Sequence, residues 1–181
     1  MPISGWYGYV YRKNHTRLDS PKILVPSLAT GATFSPDFNG DFFFVGSGGG
    51  GGGGYGISIK PDDGISYLSL LGILNSKLSS FFLRLISTPF RGGYMALNKQ
   101  FIERIPIPTQ NLKEISQKEF NGQIATSVEH MLSLHQKSAE AKSPQTKTVL
   151  QRQIEATDRQ IDKLVYKLYD LTDEEIKMVE S

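Results

Sequence analysis

Apolar residues recur at three- and four-residue spacings between residues 66 and 86, which is the period of an α-helix. Ser66 is a suitable N-cap, and Thr88-Pro89 ends the run. Most faces of this helix are apolar, so we expect it to be buried against a sheet, with Gly72 allowing close packing. The recurring positions are Leu68, Leu71, Leu74, Leu78, Phe81, Phe82, Leu85 and Ile86.

Short apolar segments before this helix predict β-strands. Lys22–Pro26 is a compact apolar run bounded by prolines. Ala32–Phe34 and Phe42–Val45 are two more candidates, and Pro36–Gly40 between them has the residues of a turn. We therefore expect a β-hairpin formed by these two segments.

A glycine run from Gly46 to Gly54 leads into Tyr55 and a further predicted strand, Ile57–Ile59. No Gly-Lys-Ser/Thr signature follows it, and a strand comes next where a phosphate loop requires a helix. The run is therefore interpreted as a mobile hairpin loop. Tyr55, held between glycines, either contacts a ligand backbone or pins the loop.

Beyond residue 108 the pattern becomes that of long, charged helices. A first helix, apolar at Ile124, Val128 and Leu134, is broken at Lys142–Thr146. A second helix has apolar positions at alternating gaps of four and three, namely Leu150, Ile154, Thr157, Ile161, Leu164, Leu168 and Leu171. Thr172 and Glu175 have the spacing of a capping box for a last helix.

These patterns predict an α+β fold, a small mixed sheet with a buried helix followed by an antiparallel helical hairpin. We expect a head of residues 1–108 and a helical tail of residues 109–181, with the extended Ile105–Pro108 between them. A helical hairpin has mainly structural roles, as a spacer, a dimer seam or a docking surface for a partner.

Composition narrows the class of protein. There is no cysteine, which excludes disulfides and suits a cytoplasmic protein. The N-terminus lacks the apolar core of a signal peptide. Residues 65–86 contain Lys77, Arg84 and five serines, so we expect no membrane span.

Residues 1–108 hold 10 Lys and Arg against 6 Asp and Glu, while residues 109–181 hold 10 against 12. This asymmetry indicates either a polyanion bound to the head or ordinary scatter.

Basic residues beside aromatic ones occur twice in the head. Near the N-terminus, alternating tyrosines at positions 7, 9 and 11 precede Arg12, Lys13 and Arg17. Such residues can hold phosphates and stack on bases. The alternative is a half-buried edge strand followed by a solvated basic turn.

The second basic and aromatic segment is Ser87–Pro108. Gly92 and Gly93 permit a tight turn with positive φ and close approach to a partner, and Arg91 and Tyr94 flank them. A short helix with one apolar face follows, and it leaves Asn98, Lys99 and Gln100 exposed for hydrogen bonds to bases or phosphates. The alternative is that Arg91 pairs with an acid and the glycines form only a turn.

Catalytic patterns are lacking. The three histidines do not have metal-ligand spacing, and no acid completes a set. The Glu-x-Lys triplets lie in helical tail, and neither NPPY nor FxGxG occurs, so no bound methyl donor is expected in this chain.

Several motifs resemble one known family. They are Tyr55-Gly-Ile57, Leu71-Gly-Ile-Leu-Asn-Ser-Lys-Leu78, Phe90-Arg-Gly-Gly-Tyr94 and Ile105-Pro-Ile-Pro108. Together they resemble the TaqI-like C-terminal specificity domain of type II restriction–modification adenine-N6 DNA methyltransferases. Gln153–Ile176 also looks like the extreme C-terminus of large fused restriction–modification enzymes.

The resemblance implies a non-catalytic target recognition domain that grips double-stranded DNA opposite a methyltransferase domain. Arg91, Gly92, Gly93 and Tyr94 match the family motif near the DNA-facing side. S-adenosylmethionine would belong to the missing methyltransferase half, and the partner would be a methyltransferase/endonuclease domain or subunit. The glycine run is longer than the family pattern requires, and the chain is expected to be a fragment or split subunit. The alternatives are half of a type I restriction specificity subunit and a helical adaptor that docks a partner protein.

Overall fold

The computed structural model describes residues 18–44, 53–60, 63–108 and 115–181. These ranges contain five short strands: β1 (Lys22–Pro26), β2 (Leu28–Ala29), β3 (Ser35–Asp37), β4 (Gly54–Ile57) and β5 (Met95–Ala96). They also contain six α-helices: α1 (Tyr67–Asn75), α2 (Lys77–Ile86), α3 (Lys99–Ile102), α4 (Ile115–Glu140), α5 (Pro144–Leu168) and α6 (Asp173–Glu180). The α+β class is confirmed, with a helical hairpin after a small sheet.

Strand β1 is the centre of a three-stranded antiparallel sheet in the order β3-β1-β4. Ile23 pairs with Pro36 on one side and with Ile57 on the other. Ile23 and Val25 point to one face and are buried, as the alternation of a half-buried strand requires. Strands β2 and β5 form a separate antiparallel pair.

The expected hairpin between Ala32–Phe34 and Phe42–Val45 is wrong. Phe34 is held instead by the Asn75 side chain, whose Oδ1 accepts from the Phe34 N–H at 2.9 Å and whose Nδ2 donates to the Phe34 carbonyl at 3.0 Å. Residues 42–44 are described and form no strand, and Val45 lies outside the described residues.

The strand in this region is β3, which takes Pro36 and Asp37 out of the expected turn and pairs them with β1. The turn lies after them. Asp37 accepts from the Asp41 N–H at 2.9 Å and the Phe42 N–H at 3.1 Å, and Gly40 adopts φ 76°. A side chain that bonds the backbone a few residues ahead stabilises a turn in place of a ladder.

The predicted buried helix is two helices, α1 and α2, bent by 60° at Ser76. Ser76 Oγ donates to the Ile73 carbonyl at 2.7 Å and accepts from the Ser79 N–H at 3.3 Å. The serine therefore ends one helix and caps the next. The predicted burial is confirmed at Leu71, 3% exposed, and Leu74, 2% exposed, and it is wrong at Leu85, which is 68% exposed.

The tail follows its sequence pattern closely. Helices α4 and α5 are joined by residues 141–143 and pack against each other, and Pro144–Thr146, expected in the break, instead form the first turn of α5. The predicted seam of α5 is buried at Leu150, Ile154, Thr157, Ile161, Leu164 and Leu168. Thr172 and Glu175 form the predicted capping box of α6.

Head and tail share one hydrophobic core. Residues from β1, α1, α2 and β5 join it, together with tail residues Ile124, Val128, Ile161, Leu164, Val165 and Leu168. Tyr169 Oη, at the end of α5, donates a hydrogen bond to the Pro106 carbonyl and fastens the extended Ile105–Pro108 to the tail. The division at residue 108 stays a prediction.

A buried carboxylate joins head to tail. Asp162 of α5 is 3% exposed, and its Oδ1 accepts from the Lys77 N–H at 2.8 Å, at the start of α2. Its Oδ2 has no hydrogen-bond partner. Burial, with Asp158 and Glu180 nearby, raises the pKa of Asp162 above its ordinary value, although the Lys77 N–H and ammonium act in the opposite direction.

Asp162→Asn is expected to stabilise the protein at pH 7 by roughly 1 kcal/mol, because the amide keeps the Oδ1 acceptor and removes a charge that is costly to bury. Because the pKa of Asp162 is raised in the folded state, the parent chain loses stability as the pH rises and this side chain ionises. The stabilising effect of asparagine should therefore disappear below the pKa of aspartate in the unfolded chain, near 3.8. Thermal melts at pH 7 and pH 3.5 measure this. Lower stability of the asparagine variant at pH 7 would contradict it.

Candidate nucleic-acid interface

The segment between α2 and α3 is a β-like hairpin with an exposed tip. The Phe90 N–H donates to the Tyr94 carbonyl at 2.7 Å, and the Ala96 N–H donates to the Thr88 carbonyl at 3.0 Å. Pro89 and Met95 form a bridge between these two bonds. We call residues 88–96 the tip hairpin. Its turn is Arg91–Gly93, in which Gly92 has the non-helical φ 76° and ψ 19°.

The two glycines are required by the backbone. Gly92 has φ 76° and Gly93 has φ 78°, both in the left-handed region. A side chain at either position would be strained, while glycine adopts this conformation without steric cost. The predicted positive-φ turn at Gly92-Gly93 is therefore confirmed.

The base of the tip hairpin is fixed in the core. Met95, Ala96 and Leu97 are buried, and the Leu97 N–H donates to the Ser27 carbonyl at 2.9 Å. Ser87 Oγ donates to the Ala96 carbonyl. A rigid base with a polar, exposed tip is the arrangement by which a scaffold presents a binding loop.

A surface cleft of about 480 Å³ lies beside the tip hairpin. Two aromatic side chains line it, Phe90 at 50% and Tyr94 at 47% exposure. The Tyr94 ring lies next to Gly92, since a methyl group there would be 3.6 Å from Tyr94 Cδ2. The rest of the lining is Thr30, Arg84, Ser87, Pro89, Gly92, Gly93 and Met95.

Two arginines give this surface its charge. Arg91 is exposed at the tip, and Arg84, also exposed, lines the cleft from the last turn of α2. Arg84 Nη2 donates to the Thr30 carbonyl at 3.4 Å. Within the described ranges, no carboxylate forms an ion pair with either arginine. Both charges are therefore available to an anionic partner.

Tyr55 and Lys99 lie outside the cleft lining. Tyr55 Oη donates to Asn98 Oδ1 at 3.5 Å, which places the tyrosine at the start of α3. The Lys99 side chain is 80% exposed and its Nζ is 3.9 Å from Glu103 Oε2. The structure thus groups Arg91, Gly92, Gly93 and Tyr94 in the tip hairpin, and Tyr55 with the start of α3.

Arg12, Lys13 and Arg17 lie outside the described residues, as does most of the glycine run. Their proposed phosphate contacts stay predictions.

Sequence reasoning did not select Arg84 or Phe90 as site residues. Phe90 occurs in the quoted motif beside Arg91. Arg84 was assigned only to the predicted helix. No signal in the sequence identifies Arg84, because its neighbour Leu85 belongs to the apolar positions predicted to be buried and is 68% exposed only in the structure.

Two further properties of the surface bear on the kind of site. In the ranges that the structure describes, no three acidic or histidine side chains gather closely enough to bind a metal ion. No single helix among these residues is long and apolar enough to cross a membrane, and α1 with α2 meets the length and composition only as a bent pair.

A comparison with known proteins finds a restriction–modification relative. The chain is 31% identical over 181 aligned residues to RM.Eco57I, a type II restriction enzyme and methyltransferase from Escherichia coli. The chain is related to a restriction–modification enzyme. The alignment includes 97% of this chain and only 17% of RM.Eco57I, so the chain corresponds to a small part of that protein. No protein-family model matches the chain, and the specific likeness to a TaqI-like domain stays a prediction.

Proposed function

We propose that the chain is a DNA-recognition module of a restriction–modification system, a target recognition domain without catalytic activity of its own. The observation that carries this proposal is the tip hairpin. It presents Arg91 and two aromatic side chains on a rigid base, and no acid in the described ranges neutralises the arginine.

The chemistry of this surface suits a nucleic-acid backbone. Arginine forks match phosphate oxygens, and positive-φ glycines allow the backbone to approach a partner closely. Lys99, exposed at the start of α3, supplies a further cation, and Tyr55 positions that helix start through Asn98. Arg12, Lys13 and Arg17 would extend the contact to the N-terminal segment.

The proposed partners are double-stranded DNA and a methyltransferase/endonuclease domain or subunit. The relative is named as both a restriction enzyme and a methyltransferase, and this chain matches 17% of it. A module of this kind acts in the cytoplasm beside a catalytic part that binds S-adenosylmethionine. The helical hairpin α4–α5, packed on the head through α1, braces the reading surface.

Arg91→Ala is expected to weaken duplex binding at every sequence tested and to reduce the slope of log affinity against log salt by about one. The loss of one guanidinium removes one phosphate contact. Fluorescence anisotropy of a labelled duplex, titrated at several salt concentrations with and without a methyltransferase part, measures both quantities.

Arg152→Ala is the matched control, because it removes an equal charge from an exposed position of α5 outside the cleft. It should leave the affinity and the slope close to those of the parent chain. Equal losses for the two variants would show that only net charge matters. Absence of duplex binding at low salt, even with the methyltransferase part present, would refute the proposed function.

A further inference from the structure

The tip hairpin places two aromatic rings on one face. Phe90 and Tyr94 are directly opposite each other, since the Phe90 N–H donates to the Tyr94 carbonyl and the adjacent pair is Pro89 with Met95. Opposite residues of an antiparallel pair project their side chains to the same face, about 5.5 Å apart at Cα. Both side chains line the cleft.

Both rings leave about half of their surface open to a partner. Phe90 is 50% and Tyr94 is 47% exposed, beside a core that holds Met95 and Leu97. The turn conformation of Gly92 and Gly93 holds the two strands of the hairpin, and therefore the two rings, in a fixed relation. A preorganised pair of aromatic faces lowers the entropy cost of binding a flat ligand.

The surroundings of the rings are cationic. Arg84 lines the same cleft, Arg91 follows Phe90 directly, and neither makes an ion pair with a described residue. These surroundings suit a ligand that is flat, aromatic and flanked by negative charge. A nucleotide within a DNA strand has this chemistry, because its base lies between two phosphates. Bases stack on aromatic side chains only when they have left the duplex stack.

We infer that the cleft binds an unstacked nucleobase of DNA against Phe90 and Tyr94, while Arg84 and Arg91 contact the flanking phosphates. This inference rests on the proposed DNA-recognition function and adds a preference for locally opened DNA. The module would thereby favour duplexes in which one base is already displaced from the stack.

The test uses the full 181-residue chain and two duplexes of one sequence. One carries a 2-aminopurine opposite an abasic site, and the other carries it fully paired. The chain should bind the abasic duplex roughly 5- to 100-fold more tightly, the range expected for stacking of one base. The fluorescence of 2-aminopurine, which stacking quenches, should fall on binding relative to the free abasic duplex.

Phe90→Ala and Tyr94→Ala should each remove most of this preference and of the quenching, while Phe90→Tyr and Tyr94→Phe should retain both. Phe43→Ala is the matched control, because Phe43 is a 60% exposed aromatic residue outside the cleft. Thermal melts establish that the variants are folded.

Three outcomes would overturn the inference. Equal affinity of the parent chain for the two duplexes would refute the cleft site and leave duplex recognition intact. A preference that survives both alanine substitutions would place the base elsewhere. No binding to either duplex at low salt, with or without a methyltransferase part, would refute the cleft and the proposed function together.

Discussion

Asp37→Ala is expected to lower the free energy of unfolding by about 3 to 5 kcal/mol, which corresponds to a fall in Tm of roughly 6 to 20 °C. Asp37 and Lys22 are cross-strand partners in the β1–β3 register and form an ion pair in which each side chain is 1% exposed. Alanine would leave the Lys22 ammonium buried without its counter-ion. Denaturant unfolding followed by circular dichroism measures the effect.

Two controls separate the buried charge from the loss of side-chain volume. The double variant Lys22→Met with Asp37→Asn removes both charges and keeps an oxygen acceptor for the Asp41 N–H group, so most of the lost stability should return. Glu103→Ala breaks the exposed pair with Lys99 and should cost about 0.5 kcal/mol or less. If Asp37→Ala is as mild as Glu103→Ala, the pair is not buried in solution.

The same ion pair makes the stability depend on pH. Burial by itself raises the pKa of Asp37, but hydrogen bonds from Lys22 and from the Asp41 and Phe42 N–H groups outweigh it, so this pKa lies below its ordinary value of 3.8. A depressed pKa gives a contribution that is present above pH 3.8 and lost as pH falls through the folded value. The difference between Asp37→Ala and the parent chain should therefore shrink only in strong acid.

The Lys22–Asp37 ion pair could be predicted from the sequence only in part. The apolar run of Lys22–Pro26 is sufficient to predict β1, because alternation and flanking prolines are local signals. Which strand lies beside β1 is a tertiary property. Proline at position 36 and a following glycine are typical of a turn, whereas the register puts Pro36 opposite Ile23. The partner of Lys22 is therefore not readable from the chain.

The helices were predictable to the extent that their signals were periodic. The seam of α5 and the capping box of α6 follow from spacing alone. The bend at Ser76 does not, because a serine in an apolar run is compatible with a continuous helix. What decides the break is the pair of bonds from Ser76 to Ile73 and Ser79 and the contact of Asp162 with Lys77.

The tip hairpin was predictable from glycine chemistry and from the motif around Arg91. The position of Arg84 in the same cleft was not, because it depends on how α2 turns into the hairpin. For Tyr55 the sequence left two roles open, a ligand contact or a pin for the loop. In the structure the Tyr55 hydroxyl donates a hydrogen bond to Asn98 Oδ1.

The contact between head and tail at Gly72 leads to the second large effect. A methyl group at Gly72 would lie 2.6 Å from Cγ2 of Ile124 and 2.8 Å from Cγ2 of Val128, both on α4. Both neighbours are β-branched side chains in the core, which limits how far they can move away. Gly72→Ala is therefore expected to cost about 1 to 3 kcal/mol through overpacking, although alanine favours the helix itself.

Gly122→Ala is the matched control, since it is the same substitution within α4, with no heavy atom within 4 Å of the added methyl group. It should stabilise the chain by about 0.5 to 1 kcal/mol through helix propensity. Denaturant unfolding of the two variants measures the free energy of unfolding for an added methyl group at a packed helix contact and at an open helix surface. Hydrogen exchange in α1 and α4 should quicken in Gly72→Ala alone. A Gly72→Ala variant as stable as Gly122→Ala would mean that α1 and α4 are not in close contact, and the tail could then not brace the surface that carries the tip hairpin.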